Sequence, residues 1–305
     1  MTMPLVSFCC GTYNREKYVR EAVDSMLAQT YALVEIIVVD DASTDGTLAI
    51  LETYGDRIHL IRRAENSGIC PITRNQAVQA ARGKYVAFLD SDDRWYPEKT
   101  RRQVEFMEEH PKVPLSHTYC HVMDADSRVT GVRHEGILPP TGLVFERLLE
   151  HCWITISTVM VRRELFSEVG YFNPDPPYGY LGEDWEFFLR VARRHPVGLV
   201  GDVLAAFRKA EQGITAANWK ARPRAVPFYF ALLSRPDIWK GIVSRRRVLD
   251  AMADACRENC IHARDQGCVG RALYFAAAGL ARQPYSRMLY GQLILTLFRS
   301  VVRSP

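Results

Sequence analysis

Three carboxylates follow directly on a short apolar stretch of the chain. The stretch, residues 85–89, lacks polar alternation and predicts a strand that is buried on both faces of a sheet. Asp90 and Asp92 stand two positions apart at its end, so both side chains can point toward one ion. Carboxylate oxygens suit Mg2+ or Mn2+, which take their other ligands from water and phosphates. The same residues also fit an acidic turn that caps a helix, since Asp and Ser are common in turns.

The elements that must position these carboxylates are strands that alternate with helices. Strands are predicted at residues 5–10, 35–41, 58–61 and 85–89, with helices between them at 18–27, 48–54 and 72–81. This alternation is typical of a parallel α/β sheet. Three of the four strand ends carry polar side chains that suit ligand binding, and in open α/β sheets such ends gather along one edge.

The rest of the chain separates into a mixed part and a helical part. The mixed part predicts, in order, a helix at 97–110, a strand at 115–122, a hairpin or excursion at 124–136, a β-rich run at 154–161, a helix at 163–169, a Pro- and Gly-rich loop at 172–182, a helix from Glu183 and a strand at 197–206. Beyond residue 219 only helices are predicted, at 226–233, 242–257, 271–280 and 286–302. We therefore expect an α/β domain over 1–215 and a helical region over 216–305.

The composition is that of an ordinary globular protein. Of the 305 residues, 48% are hydrophobic and 24% are charged, and the mean hydropathy of −0.14 argues against several membrane spans. The first residues show no secretory signal, and the eight cysteines have no CxxC spacing, which indicates buried reduced thiols. These features predict a cytoplasmic protein, and we expect no nucleic-acid partner.

The charge is distributed unevenly along the chain. Residues 1–215 carry 24 Lys and Arg against 30 Asp and Glu, whereas residues 216–305 carry 15 against 5. The final segment, 286–302, is apolar with basic punctuation and is short for a membrane span of about 20 residues. Contact of the basic helices with the inner face of a membrane, packing on the main domain and homo-oligomer contact all stay open.

Several short motifs occur in the order found in family 2 glycosyltransferases. They are Gly-Thr-Tyr-Asn at 11–14, the run at 38–47, Asn-Ser-Gly at 66–68 followed by Arg-Asn at 74–75, the run at 83–93, Val-Gly-Tyr-Phe at 169–172, and Glu-Asp-Trp at 183–185 followed by Leu-Arg at 189–190. Each motif is weak alone, but their ordered occurrence over about residues 4–215 is specific. The chain thus resembles inverting enzymes of that family, which implies a GT-A fold: a Rossmann-like, mostly parallel sheet flanked by helices, here with a C-terminal helical appendage.

The resemblance implies a nucleotide-sugar donor, with a UDP-sugar expected, at the ends of the first strands. Tyr13 can stack on the base, Asp41 can accept the imide N–H of uracil, and Arg74 can pair with the diphosphate. A packed loop aromatic, a turn cap and a solvent-facing arginine are the respective alternatives. The residues assigned to the donor nucleotide are Thr12, Tyr13, Asn14, Asp41, Arg74, Asp90 and Ser91.

Asp90 and Asp92 resemble the DXD motif of the family. The resemblance implies that they hold a divalent ion, Mn2+ or Mg2+, which bridges the two phosphates and neutralises the leaving nucleoside diphosphate. Asp93 would assist or contact the sugar. After the last strand Arg208 could also touch the diphosphate, but Ala210 stands where many family members have a histidine ligand. This departure puts the third metal ligand in doubt, and Glu211 is a weak substitute.

Asp184 matches the position of the general base in the family. An inverting enzyme needs a base to take the proton of the acceptor hydroxyl during a single in-line displacement. Glu183 and Trp185 are secondary candidates, and an apolar neighbour such as Trp185 would raise the pKa of Asp184. Because acids in the first turn of a helix suit its dipole, a capping role remains the alternative for Glu183 and Asp184.

Three other classes of protein compete with this interpretation. A nucleotidyltransferase also binds metal through carboxylates, but it needs a Gly-rich basic loop that residues 11–14 do not form. A donor-binding protein without turnover would fit the missing histidine. A phospho-acceptor receiver domain fits Asp40 and Asp41 alone. For the enzyme, the expected acceptor is a hydroxyl of a cell-surface glycan or lipid-linked sugar, and a small-molecule acceptor stays open.

Overall fold

A computed structural model of the chain describes residues 3–136, 138–175, 182–209, 225–265, 269–280 and residue 292. The chain divides into two compact units, which are Met1–Leu148 with Cys152–Gly213, and Leu149–His151 with Ile214–Pro305. The predicted helix at 286–302 apart from residue 292, most of the predicted loop at 172–182, Ala210 and Glu211 lie outside the described residues.

The first unit is built on a nine-stranded sheet. Its strands are β1 (Val6–Thr12), β2 (Val34–Asp40), β3 (His59–Arg62), β4 (Tyr85–Phe88), β5 (Arg94–Trp95), β6 (Leu115–Met123), β7 (Val129–Val132), β8 (Met160–Arg162) and β9 (Val197–Arg208). Their spatial order is β3-β2-β1-β4-β8-β6-β9-β5, with β7 paired to β6. The first four strands pair in parallel, as the alternation of strands and helices predicts.

The helices of the first unit cover the sheet with amphipathic faces. They are α1 (Val19–Leu27), α2 (Thr47–Glu52), α3 (Cys70–Ala80), α4 (Lys99–Glu109), α5 (Phe145–Glu150), α6 (Leu165–Val169) and α7 (Glu183–Ala192). In α1 the buried residues are spaced three or four apart, so that one stripe of the helix faces the core; they are Val19, Ala22, Val23 and Met26. The predicted α/β architecture with flanking helices is confirmed.

The other half of the sheet is mixed in direction. β8 pairs antiparallel with β4 and β6, while β6 and β9 run parallel to each other. The β6–β7 pair confirms a hairpin within 124–136. Of the β-rich run predicted at 154–161, only the last residues belong to a strand, β8, because a 3-10 turn at Ile156–Thr158 precedes it. Thr158 donates both its amide and its hydroxyl to Thr155 O, a local bonding pattern that competes with a ladder.

One close approach brings β1 against the helix that carries Arg74. A Cβ atom on Gly11 would lie 2.3 Å from Thr73 Oγ1, so only glycine leaves room for α3 at this point. The end of β1 and the side of α3 are therefore neighbours, which is the first requirement for a site that both elements build.

The second unit is helical over the part of it that the structure describes. Its helices are α8 (Ala225–Leu233), α9 (Pro236–Trp239), α10 (Arg245–Asp265) and α11 (Val269–Leu280). Helix α10 packs through buried residues at helical spacing, which include Val248, Met252, Ala255 and Cys256. The hydroxyl of Tyr229 donates to Leu149 O at 2.5 Å. None of the described helices is long and apolar enough to cross a membrane.

Candidate active site

The carboxyl ends of β1, β2 and β4 meet at one edge of the sheet. Thr12 is the register partner of Asp40, and Asp41 N donates to Thr12 O at 2.9 Å. β4 pairs with β1 on its other side, and the chain then turns through residues 90–93. The nucleotide candidates and the acidic turn are thus gathered at this edge, as the pattern of strand ends predicts.

Asp41 is buried at this edge, and its neighbours hold both carboxylate oxygens. Its carboxylate accepts hydrogen bonds from the amide and hydroxyl of Ser67, at 3.0 and 2.7 Å for Oδ2, and forms an ion pair with Arg63 at 2.6 Å. The carboxylate is therefore held in one orientation at the end of β2. The family motif around Asn-Ser-Gly at 66–68 contributes here through Ser67, which holds Asp41.

Thr12 ends β1 next to Asp41 and Tyr13 follows it, the first of them buried and the second partly exposed. The Thr12 hydroxyl is buried and has no hydrogen-bond partner among the described residues, and the Tyr13 side chain is 38% exposed. Asn14 has a φ of 49°. Its side-chain amide bonds the neighbouring turn: Nδ2 donates to Thr44 Oγ1 at 3.2 Å, and Oδ1 accepts from Thr44 N at 2.8 Å. Asn14 thus fixes the turn that carries Tyr13, and a direct contact with the donor stays a prediction.

The acidic turn contains two carboxylates that reach the surface. Asp90 forms an ion pair with Arg74 at 2.7 Å, and Asp92 forms one with Arg15 at 3.3 Å. Their side chains are 36% and 25% exposed. Burial raises the pKa of Asp92, the nearby Asp90 charge raises it further, and Arg15 opposes the shift. A cation placed beside both groups would relieve this repulsion.

Asp93 is a buried residue of the same turn, and its role at the metal or the sugar stays a prediction. Its side chain is buried and accepts a 2.5 Å hydrogen bond from the Ser157 hydroxyl and a 2.7 Å bond from Arg208 N. The same Ser157 hydroxyl accepts from Asp90 N at 3.1 Å. Ser157 thereby ties the acidic turn to the 3-10 turn before β8.

Arg208 is also buried, and it holds the backbone around the acidic turn. Its side chain has no exposed surface. The guanidinium lies 4.4 Å from the ring of Tyr18 and donates to Asp92 O, Asp124 O, Ser127 Oγ and Glu21 Oε2. These contacts join three distant segments at the acidic turn, and contact of Arg208 with the diphosphate stays a prediction.

Arg74 bridges the two acidic groups of the site. Its guanidinium pairs with Asp90 through Nη2 and with Glu183 through Nη1, and the residue is buried. The alternative of a solvent-facing arginine is therefore wrong. The next residue, Asn75, exchanges two hydrogen bonds with the backbone of Phe172, at 2.8 and 3.0 Å. Helix α3 thus holds both the acidic turn and the start of the loop that leads to α7.

Asp184 lies in the first turn of α7, beside this bridge. Its Oδ1 accepts a 2.8 Å hydrogen bond from Trp185 N. Burial raises the pKa of Asp184 to about 7, the adjacent Glu183 carboxylate adds to the rise, and Arg74 opposes it. The Trp185 indole donates to Leu148 O at 2.5 Å, which fixes the first turn of the helix. A carboxylate with a pKa near neutrality suits general-base work.

Several residues of the site carry no signal in the sequence. Arg15, Glu21, Arg63 and Ser157 come from segments 22 to 187 positions away from the side chains that they hold. Only the fold brings them to the edge of the sheet. Ser67 lay inside a recognised motif, but its partner Asp41 could not be inferred from spacing.

The donor set of the acidic turn fits a hard divalent ion. Across the part of the chain that is described, no group of three or more His, Cys, Asp or Glu side chains could hold a metal. Asp90 and Asp92 alone supply two carboxylates, and Mg2+ and Mn2+ take their further ligands readily from water and phosphates. The position of the missing histidine, Ala210, lies outside the described residues.

Comparisons with known sequences place the chain in a family. The profile of glycosyl transferase family 2 matches residues 7–170. TuaG of Bacillus subtilis, whose name assigns a glycosyltransferase to teichuronic acid biosynthesis, is 34% identical over 222 residues, or 72% of this chain and 84% of TuaG. The Escherichia coli UDP-Glc:alpha-D-GlcNAc-diphosphoundecaprenol beta-1,3-glucosyltransferase WfaP is 33% identical over 217 residues, or 71% of this chain and 81% of WfaP.

Solved structures agree on the fold. Staphylococcus aureus TarS residues 1–349, in complex with UDP-GlcNAc, superimposes with a TM-score of 0.67 at 20% identity, over 96% of this chain and 89% of that one. The mannosyltransferase PcManGT of Pyrobaculum calidifontis, in complex with GDP-Man and Mn2+, gives 0.61 at 20% identity, over 98% and 88%. The chain belongs to glycosyl transferase family 2, has the GT-A fold and is a glycosyltransferase. The nucleotidyltransferase and receiver-domain alternatives are therefore wrong.

Proposed function

We propose that the protein is an inverting glycosyltransferase that moves a sugar from a nucleotide-sugar, with a UDP-sugar as the first candidate, to a hydroxyl of a cell-surface glycan precursor. The observation that carries the proposal is the Arg74 bridge. It joins Asp90 of the acidic turn to Glu183, the neighbour of the candidate base Asp184. One side chain thus links a carboxylate proposed for the leaving diphosphate to the residue next to the proposed base.

In the proposed reaction, Asp184 takes the proton of the acceptor hydroxyl while its oxygen attacks the anomeric carbon. The bond from that carbon to the diphosphate oxygen breaks as the new glycosidic bond forms, so the configuration inverts. The pKa of about 7 lets Asp184 be ionised near neutral pH and still accept the proton. A divalent ion held by Asp90 and Asp92 supplies positive charge for the leaving diphosphate when it is bound.

The nucleotide would occupy the edge formed by the ends of β1 and β2. The Tyr13 ring offers a face for the base, and the unpaired Thr12 hydroxyl offers a buried polar contact. Asp41 is held by Ser67 and Arg63 in one orientation, which suits recognition of a base edge. Direct contacts of Asn14, Arg74 and Ser91 with the donor belong to the same proposal.

The names of the relatives support the substrate class. WfaP acts on a sugar linked through diphosphate to undecaprenol and uses UDP-Glc, and TuaG is named for a cell-wall polysaccharide. TarS binds UDP-GlcNAc, and PcManGT binds GDP-Man with Mn2+. We therefore propose a lipid-linked or glycan acceptor and a Mn2+- or Mg2+-dependent reaction at the cytoplasmic side of a membrane.

A donor panel tests this function. The protein is incubated with UDP-Glc, UDP-GlcNAc or GDP-Man, with or without Mn2+ or Mg2+, and with a GlcNAc-diphospho-lipid acceptor. We expect nucleoside diphosphate release with one donor, stimulated by acceptor and abolished by a chelator. Donor binding without release in every acceptor mixture would instead identify a donor-binding protein without turnover.

Contact of the helical unit with an anionic membrane is part of the proposal. Arg245 and Arg246 are exposed in the first turn of α10, where the helix dipole disfavours cations, and Ile242 before them is 45% exposed. Such a basic and apolar surface suits acidic phospholipid headgroups. Homo-oligomer formation through this unit stays a prediction.

Vesicle sedimentation tests the membrane contact. Replacing Arg245 and Arg246 by Gln should weaken binding to vesicles that contain phosphatidylglycerol by about tenfold or more, at about 1 kcal/mol for each charge. Binding to phosphatidylcholine alone should be weak throughout. The double variant Arg101→Gln, Arg102→Gln removes the same charge from α4 and should bind as the wild type does; equal losses in both variants would contradict the assignment.

A further inference from the structure

Arg15 lies between the loop proposed for the nucleotide and the acidic turn. Its Nη1 donates to Asn14 O at 3.0 Å and to Tyr13 O at 3.3 Å, and its Nε lies 3.3 Å from Asp92 Oδ2. In the proposed function the base lies at Tyr13 and the metal at Asp92, so the diphosphate has to connect these two places. The guanidinium of Arg15 therefore stands beside the path of the diphosphate.

The backbone of Arg15 is fixed, so that its side chain is the part that can change partners. Arg15 N donates to the buried Thr47 hydroxyl at 2.7 Å, and Arg15 O accepts from Tyr18 N and Val19 N at 2.9 and 2.8 Å. The side chain is 21% exposed, and Nη2 donates no hydrogen bond within the described residues. Rotation about side-chain bonds can thus move the guanidinium while the main chain stays in place.

The two arginines that face the acidic turn are held differently. Arg74 is only 8% exposed and pairs with two acids, Asp90 and Glu183. Among the described residues Asp92 is the one acid that pairs with Arg15, at 3.3 Å against the 2.7 Å of the Arg74–Asp90 pair. A single ion pair that is partly solvated is weak. Arg15 is therefore the arginine that a stronger cation at the acidic turn displaces first.

A divalent ion at the acidic turn would leave Arg15 without a reason to stay at Asp92. Asp90 and Asp92 repel each other, and the guanidinium beside each of them offsets this repulsion. A cation bound to both carboxylates takes over that role and repels the guanidinium of Arg15. The proposed reaction supplies a new anion close by, the diphosphate, and phosphate oxygens match the planar fork of a guanidinium.

We propose that Arg15 changes partners during donor binding: it pairs with Asp92 until a divalent ion is bound there, and then with the diphosphate of the donor. The inference rests on the proposed function, because it uses the acidic turn as the metal site. Metal and nucleoside diphosphate then bind cooperatively, since the metal releases Arg15 from Asp92 and the diphosphate draws it away. The metal alone binds weakly, because it has to displace Arg15 without help from the donor.

The variant Arg15→Gln should change two affinities in opposite directions. Mn2+ alone, followed by the electron paramagnetic resonance of the free ion, should bind about twofold to fivefold tighter, because its competitor at Asp92 is gone. UDP, or GDP where the donor panel selects it, should bind about tenfold to a hundredfold more weakly in saturating Mn2+, as measured by calorimetry. A side chain that only held the fold together would lower both affinities when it is removed.

Two matched variants separate the partner change from a general effect of charge. Lys17 is exposed and lies two positions from Arg15, so Lys17→Gln removes an equal charge and should leave both affinities within twofold of the wild type. Arg15→Lys keeps the charge but loses the planar fork, so it should regain only part of the affinity for the nucleoside diphosphate. Weakening of both affinities in Arg15→Gln, or no change in either, would overturn the inference.

A double-mutant cycle without metal separates this inference from the proposed function. UDP is titrated in the presence of a chelator into the wild type, Arg15→Gln, Asp92→Asn and the double variant. Asp92→Asn releases Arg15, so it should tighten UDP binding at least about threefold more when Arg15 is present than when it is Gln. An equal gain in both backgrounds, with Mn2+ still strengthening UDP binding to the wild type, would overturn the partner change and leave the proposed function standing. If Mn2+ changes UDP binding in no variant, the proposed metal site fails and this inference fails with it.

Discussion

The acidic turn after β4 and the acidic start of α7 are built from the same residue type but in opposite surroundings. Asp90 and Asp92 each pair with an arginine, and both reach the surface. Over the described residues, Asp184 accepts a hydrogen bond only from the amide of Trp185. Burial and Glu183 raise the pKa of Asp184 to about 7.

The different surroundings of the acidic turn and of Asp184 suit different chemistry. Carboxylates that are paired with cations in the folded protein can exchange those cations for a divalent ion, since the site already tolerates their charge. A carboxylate that lacks a cation of its own and is desolvated gains affinity for a proton instead. Arg74 pairs with Asp90 of the acidic turn and with Glu183, the neighbour of Asp184, so it stands between the two kinds of carboxylate.

The variant Asp184→Asn tests the role proposed for the acidic start of α7. Transfer should fall by about 10²- to 10⁴-fold, because the amide cannot take the proton of the acceptor hydroxyl. Donor affinity, measured by calorimetry, should stay within twofold. Asp175→Asn, an exposed change near the same loop, is the control. Native rates in the Asp184 variant would show that another group is the base.

The variant Asp92→Asn tests the metal-binding role proposed for the acidic turn. We expect about a 10³-fold loss of turnover, in line with the several kcal/mol that a metal ion contributes to stabilising developing charge. The increase of the melting temperature by donor with Mn2+ should disappear as well. Asp126→Asn, an exposed acid on the nearby hairpin, should retain both properties. Retained metal-dependent binding in the Asp92 variant would sink the metal assignment.

The pH dependence of kcat/KM tests whether the raised pKa of Asp184 controls the rate. Since the pKa of Asp184 is about 7, the ionised fraction falls below that pH, and the rate should drop about tenfold for each further unit of acidity. The variant Glu183→Gln removes a neighbouring negative charge that raises this pKa, so the acidic limb should move to lower pH. A limb that stays in place after the substitution would mean that Asp184 does not control it.

The smallest effect is expected from Ser157→Ala. The hydroxyl links Asp93 to the amide of Asp90, and its loss leaves buried polar groups unpaired. The free energy of unfolding should fall by about 1–3 kcal/mol in denaturant titration, with a several-fold loss of kcat. Thr53→Ala removes an exposed hydroxyl and should change neither quantity measurably. A larger loss of kcat than for Asp92→Asn would reverse the order of importance proposed here.

The class of fold and the positions of the acidic groups along the chain could both be predicted from the amino-acid order alone. Strands that alternate with helices identify the first four parallel strands, and the motifs in order identify the family. Apolar runs that indicate buried strands and the helical spacing of apolar residues are local patterns, so both can be recognised within a short window of sequence. The β-rich run predicted at 154–161 is a strand only at its end, because local hydroxyl bonding favours the 3-10 turn at Ile156–Thr158 despite the β propensity of these residues.

Only the tertiary structure decided what each charged side chain does. Asp93 and Arg208 looked like ligand residues in the sequence, yet both are buried in hydrogen bonds that hold the acidic turn. Arg74 proved to be a bridge between two acidic groups. The physical reason is that a charge takes its role from desolvation and from partners many positions away, and neither is a property of the local sequence.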